Sequence, residues 1–282
     1  MIEVLQGVLG SGKSAVATAM SMMHLKKGGV VACNFSLVDG WADAVASHNL
    51  IARFSPEYRY DLATSLHKRF FRVKSLNAIE TIRPKELAIG LNKTKEGRYQ
   101  EGQGLLILDE CQLIFNARKW EKNEQWIRFF TQSRKLGWNV ILIAHTIDMI
   151  DSQIRPLCEY ESRFRNMQRI KVPLIGCPLS PFPLFLKIQR YAGLGPGASA
   201  VSDRDMFPLP LWAAKLYDSL ETFNIDDWGK ATDAELCGSA PRPDRGTVPA
   251  ERQRLGSVES CLWSSWDRAE LLRLSCKAQS EA

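Results

Sequence analysis

Apolar residues in this chain gather in a few dense runs separated by polar, glycine-rich stretches, and the spacing within each run predicts an element. Ile2-Glu3-Val4-Leu5-Gln6 reads as a short strand, and Ala15 to Lys27 has helical composition that Gly28-Gly29 closes. Val30 to Phe35 is a near-continuous apolar run, the pattern of a strand covered on both faces, so the chain opens with a βαβ unit. From Asp39 to Arg59 the pattern is mixed, with Trp41, Ala42, Val45 and Ala46 at helical spacing. Ala78 to Ile82 reads as a further short strand ended by Arg83-Pro84, and Lys85 to Gln103 as a surface excursion turning at Gly90 and Gly97. Leu105 to Leu108 is the next buried strand. Trp120 to Leu136 is expected to be a helix with Trp126, Phe129, Phe130 and Ser133 on one face, followed by the buried strand Trp138 to Ala144. Ile147 to Leu157 is expected to turn into a helix.

Beyond Arg163 the period changes. Leu184, Leu186 and Ile188 alternate with Phe185, Lys187 and Gln189, while Arg169 to Leu174 alternates less cleanly. The stretch 163–191 is therefore expected to add two antiparallel strands, a small β hairpin joined by a proline-rich connection. Residues 1–192 read as one α/β domain including that addition. Residues 193–237 read as a helical extension, with an amphipathic helix at Leu209 to Phe223, and residues 238–282 as a largely disordered tail with a short helix at Ser257 to Gln279.

Composition narrows the possibilities. A chain of 282 residues that is 45% hydrophobic can bury one sizeable core. The net charge is only +6, but it is uneven: Arg53 to Arg98 holds eleven Lys/Arg against five Asp/Glu, and Arg163 to Arg190 holds six against none. Seven cysteines, Cys33, Cys111, Cys158, Cys177, Cys237, Cys261 and Cys276, include no C-x-x-C pair, so a reducing compartment fits best. No signal peptide is expected ahead of the first strand, and no apolar run reaches the ~20 residues needed to span a bilayer.

The first strand runs straight into Gly7-Val8-Leu9-Gly10-Ser11-Gly12-Lys13-Ser14, a full match to the phosphate-binding pattern G-x-x-x-x-G-K-[ST]. Three glycines let backbone N–H groups turn inward around an anion, and the start of a helix at Ala15 adds the positive end of its dipole. The candidate nucleotide cradle is thus Gly7 to Ala15, with Lys13 placed for the β- and γ-phosphates of ATP and the Ser14 hydroxyl for Mg²⁺. At the end of a later apolar strand sits Asp109-Glu110: Asp109 suits a Mg²⁺ ligand, directly or through water, and Glu110 suits polarising an attacking water. His145-Thr146 ends the strand expected beside the phosphate loop, so His145 is either a sensor of hydrolysis or a structural histidine. Arg134 and Arg155 could each reach a neighbouring subunit's nucleotide or make a surface ion pair. Lys68-Arg69-Phe70-Phe71-Arg72-Val73-Lys74 interleaves basic and aromatic residues; it suits single-stranded nucleic acid, or, more simply, a half-buried segment whose phenylalanines pack inward while its charges stay solvated.

Taken together, Gly7 to Ser14, Gly29 to Asn34, Leu106 to Glu110, Thr131 to Ile143, Ile154-Arg155 and Tyr160 to Asn166 resemble the zonular occludens toxin family, the assembly ATPases of filamentous phages. The resemblance covers roughly residues 1–190. It implies a P-loop NTPase fold with a doubly wound, mainly parallel sheet of the additional-strand type. It also implies a homo-oligomeric, Mg²⁺-dependent ATPase that acts with membrane assembly proteins to extrude phage single-stranded DNA or its coat complex. The implied location is the host cytoplasm or the cytoplasmic face of the inner membrane. Members usually carry a membrane-spanning helix after the ATPase domain, and none is visible between Gly238 and Ala282. Two other readings use the same phosphate loop: a nucleoside or small-molecule kinase, and an assembly scaffold that binds nucleotide without turnover.

Overall fold

The computed structural model describes residues 1–89, 101–115, 123–167, 184–192, 201–208, 211–217, 228–229 and 231–241. Its spine is a sheet whose strands lie in the order β8-β7-β6-β1-β5-β4-β2-β3-β9. Here β1 is Ile2–Gln6, β2 Val30–Cys33, β3 Phe70–Arg72, β4 Gly104–Leu108, β5 Trp138–Ala144, β6 Tyr160–Asn166, β7 Leu184–Tyr191, β8 Val201–Pro208 and β9 Glu235–Leu236. From β6 to β3 every neighbouring pair is parallel, while β7, β8 and β9 join antiparallel. β5 lies between β1 and β4, so one strand separates the phosphate loop from the acidic pair.

Helices cover both faces, which explains why the central strands are apolar at successive positions. On one face, α1 (Lys13–Lys26), α2 (Trp41–Ser47) and α4 (Pro56–His67) pack on Leu5, Val31, Leu105, Ile107, Ile141 and Ile143. The opposite face packs Val4, Val30, Leu106, Leu108, Val140 and Leu142 against α5 (Leu76–Thr81), α7 (Cys111–Ile114) and α8 (Asn123–Leu136). In α8 the expected stripe of Trp126, Phe129, Phe130 and Ser133 is the buried one. Asn123 anchors the start of that helix by donating to Asp151 Oδ2 at 2.6 Å, both residues being buried. The short helices α3 (Leu50–Phe54) and α6 (Pro84–Leu87) lie between the longer elements.

Several expectations change. Ala78 to Thr81 belong to α5 and Ile82 follows it as the cap, so this stretch is not a strand. Ser75 caps the start of that helix by accepting from the Ala78 amide at 3.0 Å, and five residues are too few for their period to exclude a helix. Residues 147–157 form two single turns of 3-10 helix, Ile147–Met149 and Arg155–Leu157, rather than a continuous helix. The hairpin at 163–191 has β6 as its first strand and β7 as its second; Arg169 to Leu174 lies outside the described residues. The stretch read as a helical extension, 193–237, supplies strands to both edges of the sheet: β8 pairs with β7, and β9 with β3. Its described helix is the four-residue α9, Leu211–Ala214. The expected tail from 242 onward lies outside the described residues, as do residues 90–100 of the surface excursion.

The basic and aromatic stretch at 68–74 is absorbed by the fold. Phe70 is fully buried in β3 against Trp41, with ring centroids 5.1 Å apart. The expectation that its charges stay solvated fails at Arg69, which is 5% exposed. Its guanidinium donates to the carbonyls of Leu25 at 2.8 Å, Gly29 at 3.1 Å and Ser65 at 3.1 Å, so it ties the end of α1 to the end of α4. Cys33, Cys111, Cys158 and Cys237 are buried. Among the described residues no helix is long and apolar enough to cross a membrane.

Candidate functional site

The carboxyl ends of β1, β5, β4 and β2 meet at one rim of the sheet, and the loop after β1 is shaped there by its neighbours. Gly7 donates its N–H to the His145 carbonyl at 3.1 Å, fixing the start of the loop to the tip of β5. A Cβ on Gly7 would stand 2.7 Å from the Phe164 carbonyl oxygen and 2.8 Å from Ser11 Oγ, so only glycine fits between β1 and β6. Gly12 turns the chain into α1 with φ 84°, a left-handed conformation that favours glycine.

α1 then begins with no side-chain cap and no acidic residue in its first turn. Its first i→i−4 bond runs from Val16 to Gly12, so the amides of Lys13, Ser14 and Ala15 precede the hydrogen-bonded ladder and face the rim. Ser11 is fully buried, and its Oγ has no hydrogen-bond partner among the described residues. An unpartnered buried hydroxyl, three free amides and a helix dipole together fit a phosphate group. Val8 and Leu9, the loop's variable positions, point outward at 63% and 69% exposure.

Lys13 is 8% exposed, and its ammonium donates to the carbonyls of Gly7 at 2.8 Å and Val8 at 3.2 Å. Burial lowers its pKa, while the nearby Asp109 and Glu110 carboxylates oppose that shift. Ser14 Oγ donates to Asp109 Oδ2 at 2.8 Å, which brings together the two groups expected to hold Mg²⁺. Asp109 is 7% exposed and burial pushes its carboxyl pKa up, against the hydrogen bonds from Ser14 and from the Glu110 amide to Oδ1 at 2.9 Å. A hydroxyl and a buried carboxylate oxygen in contact form an oxygen donor set suited to a small hard cation.

Glu110 has φ 49°, the positive-φ non-glycine residue among those described. Such a conformation costs about 1–2 kcal/mol, and it is held here by contacts on both sides of the residue. Its carboxylate accepts from Gln112 Nε2 and lies 3.7 Å from His145 Nε2, with the Glu110 and His145 side chains 36% and 30% exposed. His145 therefore does stand beside the acid expected to polarise water.

Arg134 and Arg155 do not join the site within the chain. Arg134 ends α8, which runs antiparallel to β5, so it lies at the opposite rim and pairs with Glu101 at 2.7 Å. Arg155 is held by Asp148, through its carbonyl at 2.5 Å and its carboxylate at 3.4 Å, and by the Ile150 carbonyl. Both make the local ion pair that was the alternative expectation.

Two residues at the site carried no assigned role in the sequence. Asn34, just past β2, donates to the Asp109 carbonyl at 2.8 Å and accepts from the Asp109 amide at 2.7 Å, clamping the acid's backbone. Its signal was available, since a polar residue ending an apolar run resembles His145 ending β5. Tyr217 places its hydroxyl 3.4 Å from Asp109 Oδ2, its ring edge-on to Phe35 at 5.2 Å. No spacing could reveal a contact across that length of chain.

A family model described as zonular occludens toxin (Zot) matches residues 1–180, more than half of the chain. The chain belongs to the zonular occludens toxin (Zot) family. Among its relatives, the Gene 1 protein of Enterobacteria phage I2-2 is 31% identical over 263 residues, covering 89% of this chain and 64% of that protein. The Gene 1 protein of Salmonella phage IKe is 30% identical over 236 residues, covering 80% of this chain and 58% of that protein. The chain thus spans roughly three fifths of the length of these curated relatives. Two solved structures are similar at 11% identity: the N-terminal domain of zonular occludens toxin from Neisseria meningitidis (77% of this chain, 98% of that one, TM-score 0.40) and the ATPase domain of G40P (78% and 84%, TM-score 0.45). Lys13, Ser14, Asn34, Asp109, Glu110 and His145 lie inside the span of the Zot model, and Tyr217 lies outside it.

Proposed function

We propose that this Zot-family chain is a Mg²⁺-dependent ATPase that powers the assembly and extrusion of filamentous phage as a homo-oligomer, acting on phage single-stranded DNA or its coat complex with membrane assembly proteins. The observation that carries the enzymatic part is the meeting of Ser14, Asp109, Glu110 and Lys13 at one rim, although the acidic pair is 95 residues beyond Ser14. Membership of the Zot family and the phage Gene 1 relatives support the biological part.

In this reading the free amides at the start of α1 and the Ser11 hydroxyl take up the phosphate oxygens, and the Lys13 ammonium leaves the loop carbonyls for the β- and γ-phosphates. Ser14 and Asp109 hold Mg²⁺, which when bound supplies charge neutralisation of the phosphates. Glu110 orients a water for in-line attack and takes its proton, and His145 orients Glu110. A water-activating acid favours hydrolysis over transfer to a second substrate.

The test is steady-state phosphate release with Mg²⁺ and ATP, compared between the parent and Lys13→Ala. Release by the parent and its loss in the variant is the expected result. Equal rates would place the chemistry elsewhere, phosphate appearing on an added acceptor would make the protein a kinase, and binding without release would make it a scaffold.

A further inference from the structure

The basic stretch 68–74 is drawn into the fold at Arg69 and Phe70, whereas Arg163, Arg165 and Arg190, at the described ends of 163–190, stay exposed. Directly paired residues on adjacent strands project to the same side of a sheet. Arg163 pairs with Ile188, which pairs with Arg204; Arg165 pairs with Leu186, which pairs with Met206; and Arg190 pairs with Glu161. Arg163, Arg165, Arg190 and Arg204 therefore share one face of β6-β7-β8, and all four are exposed. Between them lie half-buried Leu186 and Ile188 and the 62% exposed Met206.

The charges are sorted by face. Asp203 and Asp205 of β8 lie opposite Gln189 and Lys187 and so face the other way, toward buried Phe164, Phe185 and Phe207, where Lys187 pairs with Glu3 at 3.1 Å. The acid on the arginine face, Glu161, is engaged by Gln6 Nε2 at 3.3 Å. Among the described residues no ion pair joins a carboxylate to any of the four arginines.

We propose that this outer face of β6-β7-β8 is a docking surface for the phosphodiester backbone of single-stranded DNA. The proposal rests on the reading of the chain as a DNA-exporting ATPase only for the identity of the polyanion. Three features of the face point to nucleic acid. First, all four basic residues are arginine. A diffuse anionic field such as a lipid surface attracts lysine equally well, whereas bidentate phosphate contacts and stacking on bases use the planar guanidinium. Second, residues two apart on a strand are about 7 Å apart and adjacent strands about 4.8 Å, so the arginines occupy a patch of about 10 by 14 Å, the reach of a few nucleotides. Third, among the described residues no helix projects from this sheet face to enter a duplex groove, whereas exposed guanidinium planes can stack on the splayed bases of a single strand.

The test is fluorescence anisotropy of the full chain with a labelled single-stranded DNA oligonucleotide across a salt series. Arms with a duplex of the same sequence and with phosphatidylglycerol vesicles run alongside, and nucleotide binding is measured on every variant. The variant R163Q/R165Q/R190Q/R204Q should bind the oligonucleotide at least about tenfold more weakly, with the log–log salt slope shallower by about 2.8, and should keep its nucleotide affinity. A charge-matched control, R53Q/K68Q/R83Q/R128Q, should bind DNA within about twofold of the parent. The variant with all four face arginines changed to lysine should bind more weakly than the parent but more tightly than the glutamine variant, and it decides the matter if the glutamine variant fails to bind nucleotide.

Equal losses in the face and control variants would overturn the proposal, as would unchanged DNA binding in the face variant or a loss confined to the vesicle arm. A parent that hydrolyses ATP but does not bind the oligonucleotide sinks the docking surface alone; a parent that binds DNA but no nucleotide sinks the ATPase reading alone.

Discussion

Asp109 is a buried carboxyl whose proposed role, holding Mg²⁺, requires it to be charged. Burial raises its pKa, so the folded chain holds that proton to higher pH than the unfolded chain does. The resulting contribution to stability is full below the ordinary value of 3.8 and is lost as the pH rises through the raised folded value. Asp109→Asn should therefore raise the melting temperature by about 2–5 °C in metal-free buffer and abolish Mg²⁺-dependent nucleotide binding, a trade of function for stability. A lower melting temperature would mean that the hydrogen bonds from Ser14 and the Glu110 amide outweigh the burial. Tyr217→Phe keeps the ring packed on Phe35 but removes the hydroxyl near Oδ2. We expect it to melt within about 2 °C of the parent and to need about three- to tenfold more Mg²⁺ for half-maximal nucleotide binding, as the loss of one long hydrogen bond worth about 0.5–1.5 kcal/mol implies. An unchanged Mg²⁺ requirement would make the tyrosine a packing residue only. At this scale Lys13, Ser14, Asp109 and Glu110 were legible because their types follow a fixed spacing or end an apolar strand. Tyr217 was not, because its partner lies 108 residues away and nothing local marks the contact.

Among the elements, legibility followed burial on both sides. β2, β4 and β5 were plain because helices cover both their faces, so each is a near-continuous apolar run, while β1, interrupted by Glu3, was marked by the phosphate loop that follows it. β8 was not, since only Phe207 of its described side chains is deeply buried and its alternation is of charge rather than apolarity. Ala78 to Ile82 differs from the expected strand because five residues are too short to show a period; Ser75, three residues before Ala78, was the missing cue. α1 carries a pH-dependent element of its own. His24 is half-buried near its end, with Nε2 2.9 Å from the Gln103 carbonyl, and partial burial together with Lys27 and Arg69 lowers its pKa. Its neutral form contributes stability above the ordinary value of 6.5, and that contribution is lost as the pH falls toward the lowered folded value. The urea midpoint of the parent should therefore fall between pH 6.5 and 5. His24→Gln, which keeps an N–H donor without the titration, should show a flatter profile; identical profiles would assign the acid sensitivity to other groups.

For the molecule as a whole, the sheet divides the work. Its centre, β1-β5-β4-β2, brings four strand ends to one rim, and the site is built there from residues 7–15, 34, 109–110 and 145. Both edges are completed by residues beyond 200, with β8 outside β7 and β9 outside β3. The segment following β8 also returns to the site through Tyr217, and Val38 donates to the Leu216 carbonyl at 3.0 Å. The described strands past the family-matched span, β7, β8 and β9, thus belong to the same sheet as the site. That could not be read from the sequence, because β9 is only two residues long and pairs with distant β3, and β8 alternates in charge rather than in apolarity. We propose that this rim hydrolyses ATP, with Glu110 handling the water and Lys13, Ser14 and Asp109 handling the nucleotide. Nucleotide affinity and phosphate release measured on the same preparation of Glu110→Gln with Mg²⁺ present separate the two roles. Affinity should stay within about threefold of the parent while release slows by at least about a hundredfold. Release at the parent's rate, or affinity lost together with it, would contradict the role assigned to Glu110.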